Sequence, residues 1–158
     1  MDPNQKKKAL RMVSYGLYVA TARAGEKYAA GTVTWLSQCS FEPPLVMAGI
    51  RRDSALYKTI KASRAFAVHI VGTGQKKMAT TFFKTAKVDG DTLNGYRFEA
   101  GKTGSPVLAD VPAWFECRVV DEVKHGDHAV FVAEVVAAGV RHEEEPLTVR
   151  AAGFAYGG

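Results

Sequence analysis

The sequence predicts a mainly β protein, a closed antiparallel barrel with two or three short helices inserted. Six or more runs have the length and apolar pattern of strands, and most are joined as hairpins. The regular strand–helix alternation that a parallel α/β sheet needs does not occur. A chain of 158 residues suits one domain, 1–158, large enough for a sizeable core.

The elements follow in order. Residues 4–12, "NQKKKALRM", read as a short N-terminal helical extension with Asn4 as its cap. "VSYGLYVATAR" alternates as a strand, "AGEK" turns at Gly25, and "YAAGTVTWL" is the returning strand. "SQCSFEPP" reads as a loop, because Glu42 and Pro43 each precede a proline and are pushed towards extended conformations. "LVMAGI" is apolar throughout, as a fully buried strand would be. Asp53 or Ser54 can cap a helix "SALYKTIKAS" whose Leu56, Ile60 and Ala55 turn inward. "AFAVHIV" is a further strand, followed by a "GTG" corner and a helix "QKKMATTFFK". Residues 85–112 read as a long excursion with one strand, "GYRFEA". Two long β-rich runs then form a hairpin across "KHGD", and "PLTVRAAGFAYGG" offers one or two short strands.

Composition excludes several classes. Hydrophobic residues make up 47% and charged residues 23%, as in soluble globular chains, and no apolar run approaches a membrane span. The basic start carries no apolar core of a signal peptide, so the expected location is the cytoplasm. Cys39 and Cys117 make neither a disulfide framework nor a metal knuckle. The net charge of +5 is dispersed without interleaved aromatics, which argues against nucleic acid and suits an anionic small molecule.

Three motifs invite function and fall short of it. "VGTGQKKM" opens like a dinucleotide fingerprint, but Lys77 stands where the third glycine should pack against the strand. "GYRFEAGKTG" resembles a phosphate loop with one residue too many, and Pro106 follows where a helix should start. His125 and His128 lie three apart in a turn with no carboxylate or thiol at ligand spacing, so no metal site is expected. His69 lies mid-strand and reads as a packed or partly exposed side chain.

The stretch "AAGTVTWLSQCSFEPPLVMAGIRRDS", residues 29–54, holds more hydrogen-bonding capacity than a turn requires. Here the chain resembles the flavin reductase family of FMN-binding split barrels. The likeness continues through "FAVHIVGTGQKKMATTFFK", "PVLADVPAWFECRVVDEVKHGDHAVFVAEVV" and "EEPLTVRAAGFAYGG", covering roughly residues 10–158. It implies a split barrel of Greek-key type and a cofactor, FMN or alternatively FAD. By the same resemblance Thr32, Thr34, Trp35 and Leu36 border the flavin ring and ribityl chain, and Ser37 and Ser40 donate to ribityl or phosphate oxygens. The two threonines are also good strand formers that could serve packing alone.

A phosphomonoester dianion needs several charge-assisted donors. Arg51 and Arg52 end a strand, and Ser54 sits at a helix start, combining charge, hydroxyl and dipole. Only one arginine can face the site from an extended strand, and Arg51 is preferred. Ser54 could equally be a helix cap alone. Phe83 and Lys84 fall in a segment that approaches the cofactor in relatives, where Lys84 would neutralise phosphate or attract pyridine nucleotide. His128 matches the family's "GDH" histidine, implied to be catalytic and to lie near the flavin's reactive face or the nicotinamide site.

The resemblance further implies an oxidoreductase in which NAD(P)H delivers a hydride to flavin and electrons pass to an acceptor, a redox partner protein or a monooxygenase. It also implies a homodimer with the flavin at the interface. The rival reading is an FMN-binding electron carrier reduced by a protein partner, without its own NAD(P)H site. A cofactor-free or haem-binding split barrel is the third class.

Overall fold

The computed structural model describes residues 1–158. Strand makes up 46% of the chain and helix 15%, so the mainly β expectation holds. The elements run α1 (Pro3–Arg11), β1 (Tyr18–Ala24), β2 (Lys27–Val33), β3 (Leu36–Ser40), β4 (Leu45–Arg51), α2 (Ala55–Ser63), β5 (Ala65–Ile70) and α3 (Lys76–Thr81). There follow β6 (Val88–Asp89), β7 (Thr92–Leu93), β8 (Tyr96–Ala100), β9 (Pro106–Leu108), β10 (Ala113–Val123) and β11 (His128–Val140).

Seven strands form one antiparallel sheet in the order β2-β1-β5-β10-β11-β4-β3, and β6-β7-β8-β9 form a second. No ladder joins β2 to β3, so backbone pairing does not close the large sheet into a ring. The reason lies in the chain between its two edges. β2 ends at Val33 and β3 begins at Leu36, with only Thr34 and Trp35 between them. Two residues without a hairpin turn cannot reverse the chain, so β3 continues away and pairs with β4. The Trp35 carbonyl accepts from Gly49 N at 2.8 Å, which pins this link to β4.

The "SQCS" segment is therefore a strand and not a loop, with the turn confined to residues 41–44. The excursion at 85–112 holds four short strands where one was expected. The C-terminal stretch forms isolated bridges, Gly16 to Thr148 and Gly72 to Pro146, in place of strands. α1 is capped by Asp2, whose Oδ1 accepts from Asn4 N at 2.8 Å, so Asn4 is inside the helix and not its cap. Leu56 and Ile60 of α2 are buried as spacing predicts, joined by Tyr57 and Thr59, whereas Ala55 is exposed.

The large sheet divides the core. One side packs Phe66, Val68 and Phe131 against Leu56 and Ile60 of α2. The other packs Leu17, Val19 and Val71 against Phe82, Leu93 and Leu108. Each large side chain contributes roughly 1.5–3 kcal/mol on full burial. β5, covered on both faces, is buried from Ala65 to His69, which explains its unbroken apolar run.

His69 is fully buried. Its Nδ1 lies 2.9 Å from the Val19 carbonyl, and Leu108 N donates to its Nε2 at 3.0 Å. A carbonyl only accepts and an amide only donates, so the ring is neutral with its proton on Nδ1. Burial pushes its pKa down to about 4. Burial likewise pushes the Cys117 thiol up to about 12, which makes it a space-filling residue.

Both glycine-bearing motifs hold an anion that the chain itself supplies. The buried Glu116 carboxylate accepts from Lys102 N (2.8 Å), Thr103 N (2.8 Å) and Thr103 Oγ1 (2.7 Å) of the "GKTG" loop. A Cβ on Gly101 would sit 2.3 Å from Glu116 Oε1. At the "GTG" corner Gly74 N donates to Glu144 Oε1 at 3.3 Å, and a Cβ on Gly72 would meet that same oxygen at 2.1 Å.

Candidate functional site

A cavity of about 720 Å³ opens between edge strand β2 and the end of β4, within the range usual for small-molecule and cofactor sites. Residues 28–34 of the β2 region form one wall, and Gly49, Ile50 and Arg51 form another. The N-terminus of α2 (Ser54, Ala55 and Leu56) and residues 82–86 after α3 complete the sides. His128 and residues 153–156 of the C-terminal segment close it.

Of the residues singled out in the sequence, Thr32, Thr34, Arg51, Ser54, Phe83, Lys84 and His128 line this cavity. Trp35, Leu36, Ser37 and Ser40 do not. Trp35 stands behind the wall, its ring 4.4 Å from His128 and 5.2 Å from Tyr156, and it occupies the space a side chain on Gly49 would need. Leu36 packs against the core. Ser37 is exposed and donates to the neighbouring Gln38 carbonyl at 3.0 Å, and Ser40 ends β3 beside Leu45. The serines of edge strand β3 thus lie outside the lining of the cavity.

Two polar atoms at the link between β2 and β3 are buried without a partner, Thr34 Oγ1 and Trp35 Nε1. A buried unpaired hydroxyl costs about 1–3 kcal/mol, and Thr34 carries this cost in a residue that borders the cavity. Thr32 differs, since its hydroxyl donates to the Ala79 carbonyl at 2.6 Å and ties β2 to α3.

The cationic end of the cavity is equally legible. Ser54 caps α2, accepting from Tyr57 N at 3.1 Å and donating to the Arg51 carbonyl at 2.7 Å. Its hydroxyl is occupied, while the first backbone amides of α2 and the positive end of the helix dipole remain beside the cavity. Arg51 reaches this place, and Arg52, the first residue of the turn after β4, points instead to the Gly126 carbonyl. Arg51 is held by Asp53, whose hydrogen bond raises the guanidinium's pKa further and lowers that of the carboxylate.

Sequence reasoning missed the C-terminal contribution. Residues 153–156 carry no regular secondary structure, and Tyr156 reaches His128 Nε2 at 2.8 Å. The spacing of two aromatics among glycines and alanines in "GFAYGG" is the signal that could have marked it. The tail is held by Phe154 against Phe83 and by Arg11 Nε donating to the Gly157 carbonyl at 3.2 Å.

A family model described as a flavin reductase like domain matches residues 10–158. The chain belongs to the flavin reductase-like family. The cavity itself suits a flavin nucleotide in size, in the unpartnered hydroxyl of the lining residue Thr34 and in the cationic helix start. Among solved structures, the flavin reductase of styrene monooxygenase from Pseudomonas putida S12 is 27% identical with a TM-score of 0.79, covering 99% of this chain and 97% of its own. The NADH:FAD oxidoreductase SgcE6 of Streptomyces globisporus is 26% identical with a TM-score of 0.75, covering 86% and 81%.

Among curated proteins, an NADH:FMN oxidoreductase of Rhodococcus erythropolis is 29% identical over 87% of this chain and 70% of its own length. Diflavin flavoprotein A 1 of Synechocystis is 30% identical over 87% of this chain. This flavin reductase-like chain spans only 24–43% of the length of the first curated relatives it matches.

Proposed function

We propose that this chain is an FMN-dependent oxidoreductase, an NAD(P)H:flavin reductase whose reduced flavin serves a further acceptor. The observation that carries it is that Thr34, whose buried hydroxyl has no partner, lines one cavity together with Arg51 and the start of α2. One wall asks for a polar planar group, and the other suits a phosphate. FAD fits the same chemistry through its proximal phosphate.

Bound FMN would supply the ring that takes a hydride from NAD(P)H and releases electrons to an acceptor. The chain's own residues bind and orient. Thr34 would offer its hydroxyl to the ring or ribityl part of the flavin, and Thr32 holds β2 to α3 through Ala79. Arg51 and the α2 amides would neutralise the phosphate, with Lys84 adding charge and Phe83 standing at the rim. Holding the reactants at near-attack distance is the main catalytic demand, so no acid–base dyad is required.

The finer architecture belongs to the same reading. The large sheet curls as a split barrel of Greek-key type, and two copies complete the flavin site between them. A monooxygenase component is the natural acceptor class, supported by the styrene monooxygenase reductase and by the reductase subunit of stachydrine N-demethylase among the relatives. No helix is long and apolar enough to cross a membrane, which suits the cytoplasm.

Anaerobic mixing of FMN-loaded protein with NADH or NADPH tests the proposal. Rapid bleaching of the flavin's visible band is expected with at least one of them. Absence of bleaching with both would leave the second reading, an electron carrier reduced by a protein partner, which the likeness to a high molecular weight rubredoxin favours.

A further inference from the structure

The imidazole of His128 has no free nitrogen. Nδ1 lies 2.7 Å from Asp127 Oδ1, and Nε2 lies 2.8 Å from Tyr156 Oη. An ionised carboxylate only accepts hydrogen bonds, and the His128 hydrogen bond holds Asp127 below the usual carboxylate range. The neutral ring therefore carries its proton on Nδ1, and Nε2 accepts. The Tyr156 hydroxyl proton points at Nε2, and its oxygen is left with acceptor capacity alone.

Tyr156 and His128 both line the cavity. The tyrosine ring stands edge-on to Trp35, and His128 packs on the same indole. The charged groups facing the pair are Asp127 from the hairpin turn, and Arg51 and Asp53 from the end of β4 and the turn after it. Asp127 is almost fully exposed, so its bond to the ring is weak on its own. The hydroxyl of Tyr156 holds the ring at its other nitrogen.

We propose that Tyr156, and not His128, touches the cavity's occupant, its Oη accepting a hydrogen bond from an amide-type N–H, with His128 and Asp127 as positioning residues behind it. This rests on the flavin reductase reading, under which two occupants carry such a donor: the imide of the flavin ring and the carboxamide of the pyridine nucleotide. A group offering only acceptors to this point would meet an oxygen with no proton to give.

The Tyr156→Phe variant keeps the ring against Trp35 and deletes the acceptor. Nitrogen-resolved spectra of the neutral His128 imidazole in flavin-free protein, followed over a pH series, are expected to show the Nδ1–H form in the parent protein and a shift towards Nε2–H in the variant. Asp127→Asn is expected to shift the ring the same way. Identical spectra in parent and Tyr156→Phe proteins would overturn the hydrogen-bond chain.

Dissociation constants for FMN and NAD⁺ separate the two donors. Roughly tenfold weaker FMN binding in Tyr156→Phe, with NAD⁺ unchanged, assigns the flavin imide; the reverse assigns the carboxamide. Unchanged affinity for both would overturn the contact with the occupant. A parent protein that binds neither ligand yet shows the Tyr156-dependent tautomer would refute the functional reading and not the hydrogen-bond chain.

Discussion

Arg51 and Asp53 meet as a two-pronged ion pair, Nε 3.1 Å from Oδ1 and Nη2 2.5 Å from Oδ2, at the edge of the cavity. Both side chains are more than half exposed, so the pair adds little stability of its own. Its interest lies in competition, because a bound phosphate would claim the same guanidinium. Arg51→Ala should weaken FMN binding by roughly tenfold. Asp53→Asn should leave it equal or tighter, since it frees the arginine and removes a negative charge. Titrations of both variants check this, and parallel losses would contradict it.

Thr34→Val removes a hydroxyl that has no partner in the folded chain. The flavin-free variant should be more stable than the parent by about 1 kcal/mol, because a buried unmet donor disappears at constant shape. Its FMN affinity should fall several-fold. Denaturant midpoints and FMN titration give the two signs, and equal FMN affinity would place the ring away from Thr34.

His69 makes stability depend on acid. In the folded chain it titrates at about 4, against 6.5 for a free histidine. Between those values the unfolded chain binds more protons, so stability rises with pH across the window and is fully present above 6.5. The loss on descending through it is roughly 3 kcal/mol. Urea midpoints should drop between about pH 7 and pH 4. His69→Gln, able to serve Val19 and Leu108 without charging, should flatten that part of the slope while lowering stability overall.

Gly101→Ala should destabilise the protein by about 2–4 kcal/mol, since its Cβ falls on a carboxylate that three donors hold in place. With Glu116→Ala already present the added cost should shrink, because the obstructing group is gone. Thermal unfolding of the two single variants and the double variant reads this coupling. Strict additivity would show that the loop avoids Glu116 by moving.

Much of the sheet could be read directly. β1, β2, β4, β5 and the β10–β11 hairpin carry apolar runs or alternation that burial enforces. β3 carried no such mark, because its central Ser37, Gln38 and Cys39 are exposed and it exists only through pairing with β4. β6 and β7 are two residues each, too short for any period to show. At the site, Arg51 and Ser54 were legible from charge and capping chemistry. Ser37 and Ser40 lie outside the cavity lining of the single chain, and hydroxyl content does not say which way an edge strand faces. Tyr156 had only the aromatic spacing of "GFAYGG" to mark it, because its partner His128 lies 28 residues away in the chain.

The two glycine corners also bear on how such loops are recognised elsewhere. A row of backbone amides around a glycine attracts negative charge regardless of whether that charge arrives tethered or from solution. Here residues 116 and 144 come as permanent tenants, their arrival guaranteed by covalent connection. Pattern matching cannot tell such a resident from a visiting nucleotide. Removing the resident carboxylate at position 116 would leave an empty nest, and that variant is a natural starting point for engineering an oxyanion receptor into this scaffold.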